Sequence, residues 1–215
     1  AHYPAFYMAA VLSADKDHTD KIVTTLDTCR QMGLVVLLPS VERSDMAFTV
    51  TEKGEICYGL GAIKGVGAAM IEALLATRAQ QGAFGDLFTF CQRIDGRKLN
   101  RRVVEAFIKS GAMDAWGVER AVLFATIDAA MQAAGKVHQN AVHGQLDLFS
   151  MMDKLMPVRY EIAKPWGLRE RLGYEKDVLG WYASAHPTSV YYEEWRTWTG
   201  LIDALNPQQQ KRAFI

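Results

Sequence analysis

Excess positive charge is what a nucleic-acid binder would advertise, and it is missing here. The 215 residues carry 24 Lys and Arg against 24 Asp and Glu, a formal net charge of zero. A whole-chain field that attracts phosphates is excluded, so any basic face has to be local. Long apolar runs are also missing, which argues against a membrane-spanning helix and a membrane partner. No basic-then-apolar leader opens the sequence, and the first residue is Ala1 rather than Met, as expected of a piece of a longer chain. Cysteine is scarce: Cys29, Cys57 and Cys91 are far apart and odd in number. No CxxC or Cys/His pair has zinc spacing, so buried thiols in a reducing compartment are the expectation, with no metal site.

What is present is 50% hydrophobic, enough for one good core or two small ones. Tyr3 to Ala14 reads as a helix. Asp17 is placed to cap a second one, with Ile22, Val23, Leu26 and Cys29 as its apolar stripe and Gly33 as its stop. "LVVLLP" (34–39) reads as a short buried strand stopped by proline. "AFTV" and "EICYG" flank "TEKG" as a hairpin. Ile71, Leu74, Leu75 and Arg78 follow the helical period. Asp86 can cap "LFTFCQRI". Asn100 can cap a helix with Val103, Val104, Phe107 and Ile108 inward. A further helix has Leu123, Phe124, Ile127, Met131 and Ala134 as its apolar face. "GKVHQNAVHG" (135–144) is polar and aperiodic and reads as an exposed loop. From Pro165 the chain is helical again to about Gly180. The fold class is mainly α with a small β element near residues 34–58.

Between the strands and the helices lies "GLGAIKGVG" (59–67), with four glycines in nine positions. Its spacing is not that of a dinucleotide-binding G-x-G-x-x-G, and no βαβ unit surrounds it. Lys64 precedes its glycine, so it is not a P-loop. A helix, a tight turn and a second helix fit best, with Gly65 and Gly67 supplying positive φ and Val66 pointing inward. The N–H groups of Gly67, Ala68 and Ala69 would then face out at a helix N-terminus, an anion site with Lys64 beside it. Lys64, Gly65, Val66, Gly67, Ala68 and Ala69 are the candidate DNA-phosphate contacts. The alternative is a structural turn with no ligand.

"SGAMDAWG" (110–117) is a second small-residue turn. Arg97, Lys98, Arg101 and Arg102 precede it and Lys109 enters it, and these five join the candidate DNA contacts. From Lys53 to Gly111 nine cationic residues face five acidic ones, a modest basic patch on a neutral chain. An ordinary solvated helix face is the competing explanation. Phosphate contacts of this kind carry no base identity and alone give weak, salt-sensitive binding, on the order of 10⁻⁴ to 10⁻⁶ M.

"HGQLDLFSMMD" (143–153) places an amide and large apolar groups just after a polar stretch. It either tucks back onto its own domain or acts as a linear motif, Gln145 hydrogen-bonding while Leu148 and Phe149 fill a partner's pocket. Burying each of those two is worth roughly 1.5–3 kcal/mol before ordering costs. Two weak attachments on one body multiply through effective concentration. His138 and His143 have no third metal ligand near them in sequence. His186, before Pro187, reads as a packing or capping residue.

"HYPAFYMAAVLSADKDHTDKIV", "CRQMGLVVLLPSV", "YGLGAIKGVG", "LNRRVVEAFIKSGAMDAWG" and "LGWYASAHP" together resemble the catalytic (alpha) subunit of bacterial DNA polymerase III. The resemblance covers essentially the whole chain. It implies residues 1–50 as the end of a fingers domain, 51–185 as a tandem helix-hairpin-helix, clamp-binding domain, and 186–215 as a linker towards an OB-fold. It implies that Gln145, Leu146, Asp147, Leu148 and Phe149 bind the β sliding clamp. It further implies duplex DNA and other replicase subunits as partners, and a cytoplasmic, nucleoid-associated location. The family's palm holds Mg²⁺ on three aspartates. No such closely spaced set occurs here, so no catalytic residue and no cofactor are expected in this segment, although its parent would be a DNA-directed DNA polymerase. The rival readings are a helix-hairpin-helix glycosylase with Asp86 as its catalytic acid, and a protein-interaction module whose hairpin is only structural. Asp86 is more simply a helix cap.

Overall fold

A computed structural model describes residues 3–142, 159–185 and 187–191. The stretch 143–153, with Gln145–Phe149 and His143, lies outside the described residues, as does His186. The architecture is mainly helical. Helices α1 (Pro4–Ala14) and α2 (Thr19–Gln31) precede three two-residue strands, β1 (Val36–Leu37), β2 (Thr49–Val50) and β3 (Ile56–Cys57). After them come a 3-10 turn at Leu60–Ala62 and helices α3 (Ala68–Gln81), α4 (Leu87–Arg93) and α5 (Arg101–Lys109). A 3-10 turn at Asp114–Trp116, α6 (Arg120–Val142), α7 (Leu168–Leu179) and a 3-10 turn at Pro187–Tyr191 complete the order. Among the described residues no helix is long and apolar enough to cross a membrane.

The expected caps form at two helices. The Asp86 carboxylate accepts from the Thr89 N–H at 2.8 Å, and the Asn100 side chain accepts from the Val103 N–H at 3.0 Å. Asp17 does not cap α2. The turn before that helix closes with His18 N–H on the Asp15 carbonyl, which puts His18 in the cap position and Asp17 one residue too early. Ile22, Leu26 and Cys29 bury as the stripe requires, and Gly33 ends the segment at φ 72°.

The hairpin forms, with Thr49 opposite Cys57 and Val50 opposite Ile56. β3 also pairs in parallel with β1, giving the order β1-β3-β2. That makes β1 an edge strand, which corrects the expectation of a buried one: Val36 and Leu37 are half-buried, and Val35 is exposed. A second correction concerns residues 135–144. Helix α6 runs through Gly135 to Val142 instead of stopping. Its neighbour α4 supplies the reason: His138 Nε2 hydrogen-bonds the Gln92 carbonyl at 2.8 Å, so a polar residue is anchored on the packed face.

The core is continuous from Ala5 in α1 to Trp181. Phe90 sits at its centre, with Phe84 at 5.0 Å, Phe107 at 5.9 Å and Trp116 at 6.1 Å between ring centres. The 39–46 loop is held by two charged residues. Glu42 accepts from the N–H groups of Phe84 and Gly85 and from Trp116 Nε1. Arg78 donates to the carbonyls of Val41 and Ser44 and pairs with Asp45.

Candidate nucleic-acid interface

The four glycines of 59–67 serve two different purposes. A Cβ on Gly59 would lie 2.7 Å from the Ala47 carbonyl carbon, and one on Gly61 would lie 2.8 Å from the Met46 oxygen. What approaches these two is the molecule's own backbone. Gly65 and Gly67 face open space, with nothing within 4 Å of an added Cβ. Gly65 has φ 86°, a left-handed conformation that favours glycine. Gly67 does not: it is extended, at φ −79° and ψ 152°, and occupies the N-cap of α3. The expectation of positive φ therefore holds at Gly65 and fails at Gly67, because a cap residue takes β-region angles.

Val66 is buried, as the turn geometry needs, while Lys64, Gly65, Gly67, Ala68 and Ala69 are exposed. The first backbone bonds of α3 run from the Met70 and Ile71 N–H groups to the Gly67 carbonyl. Among the described residues, the N–H groups of Gly65, Gly67, Ala68 and Ala69 have no protein acceptor. The Gly67 cap makes no side-chain hydrogen bond, and the first turn of α3 has no acidic residue. The result is a cluster of outward donors at the positive end of a 14-residue helix, beside one lysine. The turn is fixed from behind, where the Lys64 N–H donates to the Val178 carbonyl of α7 at 2.9 Å.

The second turn is built otherwise. Gly111 is left-handed at φ 79°, but the Gly111, Ala112 and Asp114 N–H groups are all bonded to nearby carbonyls. The Arg120 guanidinium lies against the turn, so a Cβ on Gly111 would overlap its Nη2. Arg120 is 7% exposed and donates to both oxygens of Asp114, at 2.8 and 2.6 Å, and to Glu175 Oε1 at 2.9 Å. Burial works against its charge, but the Asp114 and Glu175 carboxylates outweigh that and raise its pKa. The long separation of Arg120 from Glu175 hides this closure from sequence reading; a buried glutamate in α7 is its one structural mark.

The five cations around α5 also divide. Arg97, Lys98 and Arg102 are exposed, and among the described residues their side chains have no partner. Arg101 pairs with Asp128 and with Glu105 at 2.8 Å, and those carboxylates raise its pKa. Lys109 lies 3.7 Å from Glu105 and over the rings of Phe124 and Tyr174 at 5.5 and 5.2 Å. Asp86 turns both oxygens to Thr89, one accepting from its N–H and the other from its hydroxyl at 2.7 Å. That is a helix cap's arrangement. Among the described residues no group of His, Cys, Asp and Glu could hold a metal ion. Burial pushes the Cys91 thiol up to about 12, with Asp86 adding to the effect.

Turn, following helix and paired second turn define the class: residues 33–123 match the family model of the helix-hairpin-helix motif. Relatives carry the assignment further. The chain is 43% identical over 201 residues to DNA polymerase III subunit alpha of Vibrio cholerae serotype O1, covering 92% of this chain and 17% of that one. The same subunit of Neisseria meningitidis serogroup B is 42% identical over 214 residues, covering 99% and 18%. That of Pseudomonas aeruginosa is 41% identical over 214 residues, covering 91% and 18%. The chain belongs to the bacterial DNA polymerase III alpha-subunit family, as a segment that contains its helix-hairpin-helix region. It spans less than a fifth of the length of these relatives.

Proposed function

We propose that this segment grips duplex DNA by its backbone phosphates and ties its parent polymerase to the β sliding clamp, supporting processive replication. The observation that carries the first half is the cluster of exposed N–H groups at Gly65, Gly67, Ala68 and Ala69 beside Lys64, which have no acceptor among the described residues. A phosphate oxygen is the acceptor such a cluster suits, and its small residues leave room for the sugar. Val66 acts from beneath by pinning the turn to the core. Arg97, Lys98 and Arg102 offer further phosphate contacts, whereas Arg101 and Lys109 have internal partners to leave first.

The clamp tether is Gln145, Leu146, Asp147, Leu148 and Phe149, and its support is the sequence string and the family. In the parent, residues 1–50 end a fingers domain, 51–185 form the DNA- and clamp-binding domain, and 186–215 lead to an OB-fold. Nucleotidyl transfer with Mg²⁺ and contacts to other replicase subunits belong to the rest of that parent, in the cytoplasm.

Mixing this chain with primed duplex and purified clamp, followed by size exclusion, tests both halves. Co-elution with each is expected. Replacing Gln145, Leu148 and Phe149 together by alanine abolishes clamp retention and leaves duplex binding intact. Unchanged clamp affinity by surface plasmon resonance would refute the tether, and no salt-dependent retention of duplex would refute the grip.

A further inference from the structure

Helix α7 touches both hairpin turns. Its Val178 carbonyl accepts the N–H of Lys64 in the first turn. Three residues earlier, its Glu175 is fully buried and holds Arg120, the side chain that fills the second turn. The other oxygen of Glu175 accepts from the N–H groups of Ala183 and Ser184, each at 2.9 Å. Glu175 thus holds α7 at two places, the second turn and the segment after the helix, and Val178, three residues on, holds the back of the first turn.

We infer that Glu175 is a positioning residue for the open phosphate-binding turn, with the filled second hairpin acting as its brace. The two hairpins do unequal work. Among the described residues the amides of the first have no acceptor, whereas the second has Asp114 and Arg120 packed against Gly111. Its task is to anchor α7 so that the Val178 carbonyl holds Lys64 and keeps residues 65–69 turned outward. This rests on the phosphate-binding reading above.

The route through the Lys64 N–H can be isolated. Ile63, at φ −80° and ψ 119°, already has the backbone that precedes proline, so Lys64→Pro removes the N–H as well as the charge, whereas Lys64→Ala removes the charge alone. Duplex binding is measured by fluorescence anisotropy on the full 215-residue chain, and amide hydrogen exchange is followed at Lys64 and, as a core reference, at Val104. Glu175→Gln keeps an oxygen for Arg120 but sets an amide against two N–H donors. It is expected to speed exchange at Lys64 with little change at Val104, and to weaken duplex binding about threefold to tenfold. Lys64→Pro is expected to bind more weakly than Lys64→Ala by a similar factor, and Glu175→Gln is expected to add nothing in the Lys64→Pro background. A folded Glu175→Gln with unchanged Lys64 exchange and affinity overturns the proposal. If that variant does not fold, equal binding by Lys64→Pro and Lys64→Ala overturns it. If the unmodified chain fails to bind duplex, the phosphate reading fails, and Lys64 exchange alone then decides the brace.

Discussion

Reversing the charge of Lys64 probes the open turn most directly. Its side chain is exposed and, among the described residues, has no partner, so Lys64→Glu leaves the fold unaffected. Two unit charges about 4 Å apart interact by about 1 kcal/mol in water and about 4 kcal/mol at an effective dielectric of 20. Exposure selects the low end: about 1 kcal/mol for removing the charge and about 2 kcal/mol for reversing it. The second figure is roughly a thirtyfold loss of affinity. Each phosphate neutralised contributes about 0.9 to the slope of log affinity against log salt, so the slope falls by about one. Anisotropy titrations of three unrelated duplexes over a salt series measure both quantities. Equal losses on all three are expected, because phosphates are the same in every sequence. A loss confined to one duplex, or an unaltered salt slope, would refute phosphate gripping by this turn.

Gly65→Ala forces a side chain into φ 86° and is expected to cost about 1 kcal/mol or more in urea unfolding, whereas Gly67→Ala, extended and unobstructed, stays within about 1 kcal/mol of the unmodified chain. Asp86→Ala removes a helix cap and is expected to lower stability by about 1–2 kcal/mol; the unmodified chain is expected to form no abasic sites on damaged duplex, and their appearance would restore a catalytic Asp86. The Cys91 thiol is raised from an ordinary 9.0 to about 12, so the folded state holds a proton that the unfolded state releases. Stability from this group is full below about pH 9 and falls by about 1.4 kcal/mol per pH unit as pH rises towards 12. Cys91→Ala should flatten that part of the curve of unfolding free energy against pH.

Local chemistry was legible in the sequence, and distant closure was not. Asp86 and Asn100 announce their caps because the bond spans three residues. The hairpin at 49–57 and the stripe Ile22, Leu26, Cys29 follow from periodicity and turn residues. Residues 135–142 read as a loop because their polar side chains hide a helix that is anchored by His138 on Gln92, 46 residues away. The edge position of β1 depends on a parallel partner 20 residues on. In the site, the open turn could be read from its glycines and lysine. The closing of the second turn could not, since Glu175 lies 55 residues from Arg120 and only burial marks it. The close approach at Gly59 and Gly61 is by the molecule's own backbone, which sequence spacing does not reveal.

That pair of glycines ties two segments of the chain together like adjoining rails. The Leu60 and Gly61 N–H groups donate to the Asp45 and Met46 carbonyls, and no methyl group fits between the two strands of chain. A residue inserted into or deleted from 39–46 would have no slack in which to disappear. It would travel across the seam and tilt the very segment that faces the solvent at Gly65, so the length of the 39–46 loop sets the aim of the donors next door.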